Sequence, residues 1–113
     1  MKIDELRRHA LSLPETTEEP HFDSGSFRVK GKIFVTVPPG DTHAHLFVPE
    51  PLREVALAME PGFLEKLTWG QKVVGLRATL AKAKPDVMRH LVEQAWLARA
   101  PKTLAKAWSA GHG

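Results

Sequence analysis

Cationic side chains are the clearest chemical signal in this sequence. Arg28, Lys30 and Lys32 alternate along a predicted β-hairpin, and more Lys and Arg residues follow in the second half of the chain. Such residues make the phosphate contacts that dominate non-specific nucleic-acid binding. They also solvate the surfaces of proteins that bind no polyanion, so both interpretations stay open. The candidate phosphate-binding residues are Arg28, Lys30, Lys32, Arg77, Lys82, Lys84, Arg89 and Lys102.

Strand alternation predicts a sheet face that combines aromatic and basic side chains. If the even-numbered residues of segments 44–48 and 74–80 face the helices, the odd-numbered ones lie on the opposite face. That face would carry His43, His45, Phe47, Arg77 and Thr79. Bases stack on exposed aromatic rings while nearby cations hold phosphates, so Phe47 is a candidate stacking platform. Alternatively, the face pairs with a second copy of the chain, or is covered by Trp108 and the C-terminal tail.

Asp41, His43 and His45 follow each other at every second residue, which places them on one side of an extended strand. Two imidazoles and a carboxylate form a minimal open site for a divalent ion. However, Asp41 is predicted to lie in a loop, and no further ligand follows at a typical spacing. The sequence therefore predicts that the protein has no metal and no cofactor. Asp41, His43 and His45 are the candidate ligands if a metal does bind.

No catalytic motif is present. His21, Asp23, Ser24 and Ser26 are the residue types of an acyl-transfer site, but a triad also needs an oriented base and a donor pocket for the oxyanion. The nucleophile-elbow, dinucleotide-binding, phosphate-loop and zinc-protease patterns do not occur. The sequence therefore predicts a protein that is not an enzyme.

Local patterns predict the elements of the first half of the chain. Apolar residues at helical spacing predict a helix over about 3–12. The acidic stretch 15–23 is expected to be a solvated connection or a segment that caps another part of the protein. Lys30-Gly31 predicts a tight turn between two strands of a hairpin. A third strand is expected at about 43–48.

The second half begins with a two-turn helix that Glu50-Pro51 opens and Pro61-Gly62 closes. Short strands are predicted at 67–69 and 73–80, followed by a long helix from Pro85 that Pro101 interrupts. The order α-β-β-β-α-(β)-β-α indicates an α+β domain of two layers, an antiparallel sheet with helices on one face. The three tryptophans are expected in the core or at its edge: Trp69, Trp96 and Trp108.

Length and composition bound the class of protein. A chain of 113 residues, 42% hydrophobic and 26% charged, is expected to form one domain over 1–113. The absence of cysteine excludes disulfides and thiolate metal sites, and with no recognisable leader the expected location is the cytoplasm. The net charge of +3 is uneven, because residues 82–113 hold six Lys/Arg against two Asp/Glu. Attraction to a polyanion or to an acidic partner is compatible with this asymmetry.

The segment Ser26–Phe34, SFRVKGKIF, with acidic residues between Pro14 and Pro20 before it, resembles the MmcQ/YjbR family of small bacterial proteins. Trp69, the strand 74–80 and the Ala100-Pro101-Lys102 step extend the resemblance over nearly the whole chain. It implies a two-layer domain similar to CyaY or to secretion chaperones. Many members carry the name DNA-binding protein, and the family supplies no catalytic residues. Asp23-Ser24-Gly25 departs from the turn that relatives often show.

Together these observations predict a small binding module. Nucleic acid is the first expected ligand, bound through the basic surface. The alternative is a protein-interaction adaptor or a homodimer that uses the second face of the sheet.

Overall fold

The computed structural model describes residues 1–112. Four helices and six strands follow the order α1, β1–β4, α2, β5, β6, α3, α4. A short 3-10 turn, Leu80–Lys82, links β6 to α3. The helices are α1 Ile3–Ser12, α2 Leu52–Met59, α3 Pro85–Arg99 and α4 Lys102–His112. The strands are β1 Thr16–His21, β2 Ser24–Val29, β3 Lys32–Val37, β4 His43–Leu46, β5 Leu64–Trp69 and β6 Lys72–Thr79.

The strands form one sheet in the order β1-β2-β3-β4-β6-β5, and each neighbouring pair is antiparallel. The predicted turn between β2 and β3 is confirmed: Lys30 and Gly31 both have positive φ, 50° and 81°. Turns of that hand match the right-handed twist of the two strands, and glycine takes such a φ without strain. The α+β class with an antiparallel sheet is therefore confirmed.

The segment 15–23 corrects the sequence-based prediction. Instead of a solvated connection it contains β1, an edge strand whose residues Thr16 to His21 pair with β2. β1 has no apolar alternation because one of its edges is open and its side chains are mostly exposed. Backbone hydrogen bonds to β2 hold it, and they leave no pattern in the sequence. The observed order is thus α-β-β-β-β-α-β-β-α-α, with β5 beginning at Leu64 rather than Leu67.

One face of the sheet packs against the helices. The cross-strand row Phe27, Val35, Leu46 and Leu76 is buried there, in the same core cluster as Trp96 of α3. Burial of each large apolar side chain contributes about 1.5–3 kcal/mol, which makes this row a main source of stability. The Trp96 indole is fully buried and its Nε1 donates a hydrogen bond to the Pro14 carbonyl at 3.1 Å.

The predicted interruption at Pro101 is confirmed. α3 ends at Arg99, Ala100 is extended, and α4 restarts at Lys102. The change of direction lets α4 pack back on the core, where the rings of Trp108 and Trp96 lie 5.6 Å apart. Trp96 and the partly buried Trp108 match the expected core positions, whereas Trp69 does not and is 63% exposed.

Candidate nucleic-acid interface

The face of the sheet away from the core carries a row of polar side chains. Cross-strand register places Ser26 opposite Thr36, Thr36 opposite His45, and His45 opposite Arg77. Residues opposite each other on neighbouring strands share a face, so the row lies on one side of the sheet. The outermost members are acidic, Glu19 on β1 and Glu65 on β5. The prediction that His45 and Arg77 share the second face agrees with this register.

A groove with a volume of about 410 Å³ lies beside this row. Three of its side chains are cationic, from β2, the start of β3 and the end of α3. Two are aromatic, one directly after β4 and one at the end of β5. The cations are Arg28, Lys32 and Arg99, and the aromatic residues are Phe47 and Trp69. The remaining lining residues are His21, Ser24, Gly31, Ile33 and Thr36. We call this site the sheet groove.

Arg28 is held in place by uncharged acceptors. Its Nε donates to the Ser26 Oγ at 3.1 Å, and its Nη2 donates to the Pro20 carbonyl at 3.2 Å. Ser26 is fully buried and its hydroxyl donates to the Glu19 carbonyl at 2.7 Å. The guanidinium is thus positioned while its positive charge stays unneutralised.

Like Arg28, Lys32 and Arg99 are not neutralised by a carboxylate in the described part of the chain. Within residues 1–112, no ion pair joins Arg28, Lys32 or Arg99 to a carboxylate. The predicted partner in the hairpin, Lys30, differs because its Nζ lies 3.1 Å from the Glu15 carboxylate. The sheet groove therefore concentrates three uncompensated positive charges, which attract an anion in water and less so at high salt.

The aromatic pair corrects the prediction for the stacking platform. Phe47 is only 7% exposed, and its ring meets the Trp69 ring edge to face at 5.7 Å. Trp69 covers Phe47, so the accessible ring surface belongs to Trp69. Sequence alternation could not identify this, because Trp69 lies at the end of an edge strand and its exposure depends on the absence of a further strand. Its position just before the Gly70 turn was the available signal.

His45 and Arg77 lie next to the sheet groove. The Arg77 Nη1 donates to the His45 Nε2 at 3.1 Å, which requires a neutral imidazole at that nitrogen. Burial lowers the pKa of His45 below its usual value, and the charges of Arg77 and His43 lower it further, while Glu65 opposes the shift. The acceptor that Arg77 contacts is therefore an uncharged imidazole nitrogen and not a carboxylate.

The other predicted phosphate-binding residues lie outside the sheet groove. Lys84 forms an ion pair with Glu60 at 2.7 Å, and Arg89 borders α1 on the helical side. Lys82 lies in the 3-10 turn and Lys102 begins α4, both exposed. The structure thus brings Arg28 and Lys32 together with Arg99, and it does not gather all the predicted cations on one surface.

The candidate metal ligands do not converge. Asp41 lies in the turn before β4 with a φ of 55°, and His43 Nδ1 is 2.9 Å from the Thr42 hydroxyl. His45 Nε2 already accepts from Arg77. Across residues 1–112 no group of three His, Asp or Glu side chains has the arrangement of a metal site.

The candidate acyl-transfer residues make different contacts in the structure. His21 and Ser24 line the sheet groove, while the Ser26 hydroxyl is used by Glu19 and Arg28. In the described part of the chain, no side-chain hydrogen bond joins His21 to Ser24 or Ser26.

Fold and site together define a class: a small α+β domain whose open antiparallel sheet carries a groove beside the polar face of the sheet, with the end of α3 at its border. A family model of YjbR matches residues 11–98. The chain therefore belongs to the YjbR family, which confirms the resemblance drawn from Ser26–Phe34.

A solved structure shares this architecture. The crystal structure of a Deinococcus radiodurans protein with the domain DUF419 is similar with a TM-score of 0.75 and 17% sequence identity. The similarity covers 90% of this chain and 80% of that chain, and it establishes a common fold. No curated protein matches the sequence. Among residues 1–112, no helix combines the length and apolar character needed to span a membrane.

Proposed function

We propose that this protein is a nucleic-acid-binding module that uses the sheet groove. One observation carries the proposal: Arg28, Lys32 and Arg99 have no carboxylate partner in residues 1–112 and line the same groove as the exposed Trp69. Nucleic acids combine phosphates, which such cations attract, with flat bases, which an indole ring stacks against. Binding rather than catalysis is proposed, because Ser26 positions Arg28 and is not paired with a base.

A fluorescence-polarisation titration with labelled single-stranded and duplex DNA, at about 50 and 200 mM salt, tests the proposal. Binding is expected at the lower salt and must weaken at the higher one. The double variant Arg28→Ala/Arg99→Ala should lose affinity. Its matched control is Arg89→Ala/Lys102→Ala, which removes the same charge from exposed positions outside the groove. No binding at low salt, or equal losses in both variants, would contradict the proposal.

A second candidate function is self-association or protein binding through the same face. The exposed Trp69 favours it, since a large aromatic side chain 63% exposed on the edge strand β5 is typical of an interface anchor. Light scattering over a concentration series distinguishes the two functions. A mass that doubles with concentration in the wild type, and not in Trp69→Ser, would support a dimer, and a constant monomer mass would exclude it.

A further inference from the structure

We infer that the sheet groove binds an unpaired nucleotide of a single strand, with the base against the Trp69 indole and a neighbouring phosphate on the Arg28 guanidinium. The inference rests on the proposed function and names its ligand class. It follows from three features: the accessible ring of Trp69, the positioned fork of Arg28, and the boundaries of the groove.

Trp69 selects for unpaired bases. Its ring is exposed, and the buried Phe47 supports it from below with an edge-to-face contact, so its orientation is set before a ligand arrives. In a duplex the faces of the bases are stacked on each other, and only their edges are accessible in the grooves. A base that stacks on Trp69 must therefore come from a single strand or from a loop.

Arg28 supplies a phosphate contact of defined geometry. A guanidinium has five N–H donors, and its hydrogen bonds to Ser26 and Pro20 use one on Nε and one on Nη2. Both Nη1 donors and one Nη2 donor remain, which suits a bidentate contact to phosphate oxygens. Ser26 is the positioning residue, because its buried hydroxyl is fixed by the Glu19 carbonyl and accepts from Arg28.

The boundaries of the groove limit the ligand to a short stretch. Its volume of about 410 Å³ is that of a site for a small molecule or a single nucleotide unit. Beyond His21, a neighbouring depression is lined by Glu19 and Asp23, whose carboxylates have no ion pair within residues 1–112 and repel phosphates. Only the three groove cations then contact the backbone, so the slope of log affinity against log salt should be roughly −2 for a single strand.

The test is a titration of labelled oligothymidylates of increasing length and of a duplex of the same length, with Trp69 variants. Single strands should bind more tightly than the duplex, and affinity should stop rising after a few nucleotides. Trp69→Ala should weaken single-strand binding by about 10-fold, whereas Trp69→Phe retains most of it. Leu11→Ala is the control, since Leu11 is an exposed apolar residue on α1.

The positioning role of Ser26 has its own readout. Ser26→Ala leaves all charges in place, so affinity should fall several-fold while the salt slope stays unchanged. Arg28→Ala should instead reduce the magnitude of that slope by about 0.7. Because Ser26→Ala removes a buried hydrogen bond and is a risk to folding, Arg28→Lys serves as the second variant. Arg28→Lys keeps the positive charge but removes the planar guanidinium with its paired N–H donors. It should show the same loss of affinity as Ser26→Ala, with an unchanged salt slope.

The outcomes separate the inference from the proposed function. Equal affinity for duplex and single strand, or wild-type affinity in Trp69→Ala, would overturn the inference while leaving nucleic-acid binding intact. Wild-type affinity in both Ser26→Ala and Arg28→Lys would overturn the positioning of Arg28. If no nucleic acid binds at low salt, the proposed function fails and the inference fails with it.

Discussion

At the scale of single residues, the polar face of the sheet contains basic side chains that hydrogen-bond to uncharged acceptors. Burial and the charges of Arg77 and His43 lower the pKa of His45, which favours its neutral form. Arg28 is held by a hydroxyl and a carbonyl, so its charge remains available to a ligand. Both arrangements preserve positive potential on this face, and each leads to a measurable consequence.

The lowered pKa of His45 makes folding stability depend on pH. The unfolded chain protonates this imidazole at its ordinary pKa of about 6.5, and the folded chain only at a lower pH. The folded state thus binds fewer protons in that interval, and the contribution of His45 is present above about pH 6.5 and lost as the pH falls through the folded pKa. Urea denaturation at about pH 7.5, 6.5 and 5 should show a steeper loss for the wild type than for His45→Gln. His90→Gln, an exposed position on α3, is the control; parallel curves for wild type and His45→Gln would contradict the prediction.

Two tryptophans in opposite environments give a matched comparison of stability. Trp96→Ala empties a fully buried site and removes the hydrogen bond to Pro14, and it should lower the free energy of unfolding by about 3–5 kcal/mol. Trp69→Ala loses mainly the ring contact with Phe47, which is worth about 1 kcal/mol. Urea denaturation measures both. A larger effect at Trp69 than at Trp96 would contradict the assignment of core and groove.

At the scale of elements, close approach of strands decides which residues are tolerated. Gly75 on β6 faces the backbone of Leu46 at the end of β4, where a Cβ atom would overlap the Leu46 carbonyl. Near Gly75 the pairing of β5 with β6 also shifts in register, between Leu67 and Thr68. This region positions both Phe47 and Trp69, so the packing at Gly75 supports the aromatic side of the sheet groove.

Gly75→Ala should therefore destabilise the protein by about 1–3 kcal/mol, because the new methyl group must displace backbone rather than a flexible side chain. Gly25→Ala on β2 is the matched control: a Cβ atom there would have no neighbour within 4 Å, and the φ of Gly25 is not in the left-handed region. That control should be neutral or slightly stabilising, since alanine restricts the unfolded chain. Thermal melts of the two variants side by side measure the difference, and equal melting temperatures would refute it.

At the scale of the whole molecule, the net charge of +3 is less informative than where the individual charges lie. Acidic residues of the β1 region form ion pairs with other elements, Glu15 with Lys30 and Glu18 with Arg7. The groove cations have no such partners in residues 1–112. Many other Lys and Arg side chains in residues 1–112 also have no ion pair, so Arg28, Lys32 and Arg99 are distinguished by their common position in the sheet groove.

A ligand that binds only the folded protein must raise its melting temperature. At an oligothymidylate concentration about 100 times Kd, binding adds about 2.7 kcal/mol, which corresponds to a shift of roughly 10 °C for a domain of this size. Arg28→Ala/Arg99→Ala should show a smaller shift at the same ligand concentration, and Arg89→Ala/Lys102→Ala the full one. A thermal shift assay measures it. Full stabilisation of the groove variant would place the binding site elsewhere.

Features that depend on neighbouring residues could be predicted from the amino-acid sequence alone. The Lys30-Gly31 turn, helix α2 opened by Pro51, and the break at Pro101 all follow from backbone preferences of a few residues, and the structure confirms them. The polar and apolar faces of β4 and β6 could also be predicted, because the alternation of side chains between the two faces is a local property of a strand.

Features that depend on residues far apart in the chain became visible only in the folded molecule. β1 is held by backbone pairing to β2 rather than by its own side chains, so its sequence resembles a loop. Arg99 reaches the sheet groove from the end of α3, and Trp69 rather than Phe47 is exposed because β5 lies at the edge of the sheet. Strand order and helix docking bring these groups together, and long-range packing of that kind leaves no periodic signal in the sequence.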